Sequence, residues 1–392
     1  MKALEGIRVI ELCHAYNGPF CCMLLADQGA EVLKIEPLDG DQCRSWFPFH
    51  EKGGESAFFT YVNRNKKGGT LNLKDPKALE MFYELVKTAD VVVENYRSGV
   101  AKKLKVDYEN LRKINPRIIY AASSGFGQYG PLSHRPCYDM VAQSMGGMVY
   151  MTGYKEQPPV KCGPSVADNV TGTFLCVGIL SALIAREKTG EGQMVDVSMV
   201  DTIFSLLENA IPLYTANKVI FERQGNIDPT IAPFDIFETN DGQIALGVGT
   251  DKLFKAMFEA MGMPQVADDP RYASNTLRVE NYEPDLKKII NDWTKTRSKA
   301  EVDKIFEAAG VPCGPVLNMK EAIEHPHIQA REMMVHVQHP TAGDDYVQGV
   351  PIKLSGTPGS VDFHAPLLGQ HNKEIFGLNE TQEKALKDQG VI

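Results

Sequence analysis

The 392-residue chain predicts an α/β protein built on a doubly wound parallel sheet, followed by a smaller α+β unit. Two observations carry that reading. Short apolar runs alternate with helical stretches through the first half, as expected for strands covered on both faces. Near residue 225 the character changes. FDIFET (234–239) and GQIALGVG (242–249), joined through Asn240-Asp241-Gly242, read as an antiparallel hairpin.

Taken in order, 7–12 (IRVIEL) is a strand, 18–28 a helix closed by Gly29, and 31–36 (EVLKIE) a strand. A helix opens at Asp75-Pro76, with Asp75 as N-cap and Pro76 at the first position, and runs to about Ala89. Residues 91–95 form a strand, 107–114 a helix and 117–124 a strand. Long helices fill 138–150 and 168–187, then a strand at 194–199 and a helix at 200–217. The apolar segment 170–186 is short for a membrane span and carries Thr171, Thr173 and Ser181. It reads as a buried helix on the sheet, with Gly172 and Gly178 allowing close approach. After the hairpin, helices dominate to about Ala309, and the loop-rich remainder holds two further strands and two terminal helices.

Gly125, Gly127 and Gly130 spell G-x-G-x-x-G directly after a strand. A dinucleotide fingerprint needs a helix to open there, so that its N–H groups meet the pyrophosphate. Pro131 and Pro136 forbid one. This loop instead leads to Tyr138-Asp139 and, further on, to Asp168 in SVADN.

Net charge is −9, and no basic run is long or one-sided enough for nucleic acid. The short clusters Lys66-Lys67 and Lys102-Lys103 suit a small anion or a solvated face. The N-terminus enters a strand directly, without the pattern of a signal peptide, and no membrane attachment is expected. Eight cysteines form no C-x-x-C pair, which points to free thiols in the cytoplasm and to no metal site.

In a doubly wound sheet, ligands bind at the carboxyl ends of the strands. The segments there are His14–Pro19, Glu36–Trp46, Glu94–Arg97 and Gly125–Asp139. Asp168 reads either as a helix N-cap or as a carboxylate nucleophile near a helix N-terminus. Asp139 has the same plain reading, as cap of the helix that follows it.

These residues sit within a longer series of matching runs: LEGIRVIEL with HAYNGP, LADQGAEVLKIE, GDQCRSW, NRNKK with TLNLKDP, ADVVVEN, NPRIIYAASSGFGQYGP, RPCYDMVAQSMGG, SVADNVTG, TGEGQMVDVSM, GVPCGPV, HPHIQARE and APLLGQHNKEI. Over nearly its whole length the chain resembles the class III CoA-transferases, which include carnitine, bile-acid and formyl-CoA:oxalate CoA-transferases. The resemblance implies a Rossmann-like large domain made from residues 1–220 and 316–392, a small domain at 225–315, and an interlocked homodimer. It implies an acyl-CoA and a small carboxylic acid as substrates, and Asp168 as catalytic residue. Tyr16, Asn17, Leu71, Asn72, Leu73, Lys74, Asn95, Tyr96, Arg97, Lys103, Pro136, Cys137, Tyr138 and Asp139 fall on positions that line the coenzyme A site. Lys74, Arg97 and Lys103 would meet its phosphates, and Trp46, Tyr138 and Asp139 would line the acid pocket.

Two departures argue against oxalate or formyl-CoA as substrate: QGNIDPTIAPF replaces a glycine-rich loop, and Tyr16 stands where oxalate-using members carry Gln. An α-methylacyl-CoA racemase of the same fold needs an acid–base pair across the α-carbon. Such racemases carry His-Asp where this chain has Tyr138-Asp139, and Tyr is a poor base near neutral pH. A CoA-binding protein without catalysis is the third reading, and Asp168 speaks against it.

Overall fold

A computed structural model describes all residues from Met1 to Ile392. Six strands, β1 (Arg8–Glu11), β2 (Glu31–Glu36), β3 (Lys66–Thr70), β4 (Val91–Glu94), β5 (Ile119–Ser124) and β6 (Met194–Ser198), pair in parallel in the order β3-β2-β1-β4-β5-β6. The chain steps outward from β1 to β3, then returns to β4 on the other side of β1. That reversal opens a crevice over the carboxyl ends of β1 and β4.

The helices that frame the sheet are α1 (Asn17–Asp27), α2 (Ala57–Asn63), α3 (Pro76–Val86), α4 (Val100–Lys103), α5 (Tyr108–Ile114), α6 (Asp139–Met145), α7 (Met148–Met151), α8 (Val166–Thr189), α9 (Met199–Ser205) and α10 (Ala210–Asn217). Alternation along the strands divides the core. Val9, Val91, Val93, Ile119 and Ala121 meet α1 and α8, and Ile10, Leu33, Val92 and Tyr120 meet α3 and α5 on the opposite face. Asp75 caps α3, its Oδ1 accepting from the N–H groups of Lys77 and Ala78 at 2.8 and 3.2 Å.

Several expectations need correction. The single helix at 138–150 is two, α6 and α7, broken at Gly146-Gly147; Gly147 has φ +98°, which a helix cannot hold. The helix at 200–217 is also two, separated near Glu208 at φ +43°. Helix α2 and strand β3 add to the elements expected between β2 and α3. Lys66 lies in β3, fully buried rather than solvated, with its Nζ 2.8 Å from Glu11 Oε2, 2.8 Å from Pro19 O and 2.9 Å from Asn63 Oδ1. Lys67 pairs with Glu31 and Glu374. No helix follows Gly125 until Asp139, in keeping with the two prolines.

Helix α8 is long and apolar enough to cross a membrane, with mean hydropathy 1.5 over its most apolar window. In the fold, Leu175, Cys176, Ile179, Ala182 and Leu183 bury one face in the core. Its buried Arg186 pairs with Asp90 at 2.8 Å.

The chain divides into two compact units, Met1–Met148 with Lys161–Ile211 and Pro326–Ile392, and Val149–Val160 with Pro212–His325. The second contains the antiparallel sheet β7 (Phe234–Thr239), β8 (Gly242–Gly247) and β9 (Cys313–Pro315), with Phe237, Ile244, Phe258, Trp293 and Phe306 in its core. The first includes the late hairpin β10 (Met334–His339) and β11 (Gly343–Gln348), and the carboxyl terminus, where Leu386, Val391 and Ile392 join the α3 side of the core.

Candidate active site

The site is built over the carboxyl ends of the strands. After β1 the chain turns sharply through Ala15, whose φ of +62° is a left-handed conformation costing a non-glycine residue roughly 1–2 kcal/mol. Two anchors hold the turn. Asn95, just past β4, accepts from His14 N–H at 2.8 Å and donates to His14 O at 2.7 Å. Asp41 Oδ1 accepts from Ala15 N–H at 3.1 Å. Asp41 is itself fixed by the fully buried Lys34, whose Nζ also reaches Glu11 Oε1 and Cys13 O, each at 3.0 Å. Removing one member of such a buried charge network costs about 3–5 kcal/mol. The lysine and its two carboxylates therefore serve to shape the loop above them.

That loop delivers Tyr16 and Asn17 to the start of α1, facing the first turn of α8. Tyr16 Oη donates to Asn169 Oδ1 at 2.6 Å, and Asn169 Nδ2 donates to Ser165 O at 3.0 Å. The Asn17 Oδ1 is taken by Gly18 N–H at 2.6 Å and Asn95 Nδ2 at 3.0 Å. Its amide nitrogen is thereby left to donate to Asp168.

Asp168 is the third residue of α8 and not its N-cap, which is Ser165 without a side-chain cap bond. The missing cap comes from Asp139, the first residue of α6. Its Oδ1 accepts from Ala167 N–H at 2.9 Å, and its Oδ2 from Gln143 Nε2 at 2.6 Å. Asp139 thus caps α8 across space, not the helix it begins. Burial, and next the neighbouring charge of Asp139, push the Asp168 carboxyl up to about 7, while the hydrogen bond from Asn17 draws it down. The N-terminus of α8 also favours the ionised form. The Cys137 thiol is raised to about 11, first by burial and then by Asp168, so it stays neutral near pH 7 and is a weak nucleophile.

Asp168 opens into a cavity of about 260 Å³ whose walls include Tyr16, Asn17, Asn95, Tyr96, Arg97, Cys137 and Tyr138. A second cavity of about 360 Å³ is lined by Leu71, Asn72, Leu73, Lys74 and the loop 36–39. His14 and Tyr96 line both, their rings 5.8 Å apart, so the two cavities adjoin along this pair. Most of the residues expected at a coenzyme site are therefore brought together in two adjoining halves. Asp139 stands behind Asp168, buried. Lys103 is exposed on α4 and lines neither cavity; Pro136 is exposed between two residues that line the first. Trp46 also lines neither. It packs on Phe58 at 5.5 Å, and Phe58 on Tyr16 at 5.2 Å, one ring removed from the cavity.

The structure adds His14, Gln42, Ser98, Ser123, Ser124, Ser133, Arg135 and Met199 to the first cavity. His14, Gln42 and Arg135 lie in the strand-end segments flagged from sequence, but nothing in their spacing singled them out. No group of three or more His, Cys, Asp or Glu side chains is placed to hold a metal.

Fold and site together define an open-sheet α/β protein with two adjoining cavities over its strand ends, the first with Asp168 as its one carboxylate. The sequence model of CoA-transferase family III matches residues 4–372. The chain is 37% identical to succinyl-CoA–D-citramalate CoA-transferase of Chloroflexus aurantiacus, over 100% of this chain and 98% of that protein. It is 42% identical to acetyl-CoA:oxalate CoA-transferase of Acetobacter aceti, over 90% and 89%. A solved CAIB/BAIF family protein from Brucella suis superposes with a TM-score of 0.86 at 33% identity, covering 96% of this chain and 99% of that one. The chain belongs to CoA-transferase family III, enzymes that move coenzyme A between an acyl-CoA and a carboxylic acid.

Proposed function

We propose that this enzyme carries coenzyme A on Asp168. The Asp168 carboxylate attacks the thioester carbon of the donor, the C–S bond breaks, and CoA thiolate leaves behind an aspartyl mixed anhydride. The thiolate attacks the Asp168 carbonyl and expels the donor acid, which gives a β-aspartyl-CoA thioester. The acceptor carboxylate attacks that thioester and releases the thiolate again, and thiolate attack on the acyl carbon of the new anhydride yields the product thioester and free Asp168. Charge and protons balance at every step without an external base.

The observation that carries this reading is Asp168 itself. It is the carboxylate lining the first cavity, held by Asn17, and the second cavity adjoins it along His14 and Tyr96. Coenzyme A would lie with its nucleotide end among Leu71–Lys74 and its thiol at Asp168. Lys74 and Arg97, whose side chains form no ion pair, would meet the phosphates. Succinate, citramalate and oxalate in the names of the two relatives are dicarboxylic, while the acetate that the second carries as acetyl-CoA is not, and the dicarboxylic acceptors of both support a short dicarboxylic acceptor for this chain as well. A homodimer belongs to this reading; α8 leaves Phe174, Val177 and Ile184 45%, 54% and 63% exposed, and light scattering at twice 43.3 kDa would support it, at 43.3 kDa oppose it.

Replacing the carboxylate tests the assignment. Asp168→Ala should lower turnover by at least about a thousandfold while titration still shows coenzyme A binding, since the variant removes the nucleophile and leaves the cavities. Turnover within tenfold of the parent would rule Asp168 out.

A further inference from the structure

We infer that Arg135 is the docking group for the distal carboxylate of a dicarboxylic substrate in the Asp168 cavity. The inference rests on the coenzyme placement and acid class given under Proposed function, and it names the residue that would select that class.

The cavity is hostile to a second anion. Asp168 is in its wall and Asp139 lies directly behind. A dicarboxylic acid must present one carboxylate for reaction and find a cation for the other, because a carboxylate held away from water without a partner is strongly disfavoured. Two cationic side chains line the cavity, Arg97 and Arg135, and neither guanidinium takes part in an ion pair or a side-chain hydrogen bond. In a chain where Lys34, Arg64 and Lys66 are buried against carboxylates, two free arginines at one cavity are available for a ligand.

Sheet order separates their tasks. The second cavity lies over β1, β2 and β3 and extends to Tyr96 after β4. Arg97 is the next residue, on the side where the body of the coenzyme passes. Arg135 belongs to the loop that follows β5, further along the sheet, and no residue of that loop lines the second cavity. A coenzyme lying over β1–β3 with its thiol at Asp168 directs its acyl group towards the β5 side, and so towards Arg135.

The side chain is exposed and lies over an aromatic ring. Its guanidinium carbon sits 5.8 Å from the centre of the Phe126 ring, which leaves the N–H edges free for bidentate pairing with a carboxylate. Cys137 lies within the electrostatic reach of both Arg135 and Asp168, so the two charges flank one short stretch of cavity wall.

Steady-state kinetics with glutarate and valerate as acceptors, acids of equal chain length with two carboxylates and one, test the inference. Acetyl-CoA, which has no distal carboxylate, serves as donor. Arg135→Gln should raise KM for glutarate by at least about tenfold, change KM for acetyl-CoA by less than about twofold, and erase any preference for glutarate over valerate. Arg135→Lys should recover part of the preference, since it keeps the charge without the fork. An unchanged KM for glutarate, or a rise confined to acetyl-CoA, would overturn the inference, the second by handing Arg135 to a coenzyme phosphate. Whether an adduct forms on Asp168 is scored separately. Its absence would defeat the aspartyl mechanism, while the glutarate-to-valerate ratio would still decide Arg135.

Discussion

Asp168 is held close to its own ionisation threshold. Burial and the charge of Asp139 raise its carboxyl to about 7, and Asn17 opposes them by donating to the charged form. A nucleophile must be ionised, so kcat/KM should rise with pH through about 7 and level off above it, with one proton lost on the acid limb. Asn17→Ala removes a hydrogen bond to the carboxylate, which must move that limb to higher pH and lower the rate most at the acid end. A pH profile of parent and variant checks both; a limb that stays in place in Asn17→Ala would separate Asn17 from the nucleophile. The same residues show what sequence can reveal. Asp168 stood out because a lone acid preceded an apolar helix. Its relation to Asp139 did not, because 28 residues separate Asp139 from Ala167 and only the fold joins them.

At the scale of elements, the site depends on how closely α1 approaches α8. Gly172 makes that approach possible: a Cβ there would lie 2.6 Å from Asn17 O and 3.3 Å from Cys21 N. Alanine is favoured over glycine inside a helix by roughly 1 kcal/mol, so propensity alone would stabilise Gly172→Ala. Contact with the α1 backbone reverses the sign and moves Asn17 away from Asp168. The variant should melt below the parent and lose at least about tenfold in kcat, read by thermal unfolding and steady-state assay. A Tm equal to or above the parent's with full kcat would show that α1 has room to shift. Most elements were legible because their strands are apolar runs and their helices carry caps such as Asp75. Strand β3 was hidden because its sequence, KKGGT, has no apolar residue. It is a strand because Lys66 finds Glu11, and because Gly68 and Gly69 leave space for Pro366 and Ile375 from far along the chain. Such long-range partners leave no trace in local pattern.

The whole molecule sorts its charges by task. Net charge is −9, yet Lys74, Arg97 and Arg135 stand unpaired at the two cavities over the carboxyl edge of the sheet. The cations buried beneath that edge, Lys34 and Lys66, are fully neutralised by Glu11 and Asp41 and shape the loop that carries Tyr16 and Asn17. One population holds the scaffold, and the other is unpaired, as the proposed binding of coenzyme A requires. Composition could not separate the two, since Lys66 and Lys74, eight positions apart in sequence, differ completely in setting: one is buried against Glu11 and the other lines an open cavity. The order of strands does separate them. It sets one cavity over the ends of β1–β3 beside another over the ends of β1, β4 and β5, which meet at His14 and Tyr96, with Asp168 in the wall of the second of these. The central claim is that Asp168 bonds covalently to the groups in transit. Intact and peptide mass spectrometry after mixing the enzyme with acyl-CoA, quenched in acid without acceptor, reads this directly. A CoA or acyl adduct on the peptide containing Asp168, absent in Asp168→Ala, is the predicted result. Turnover by the same preparation with no adduct on that peptide would contradict it.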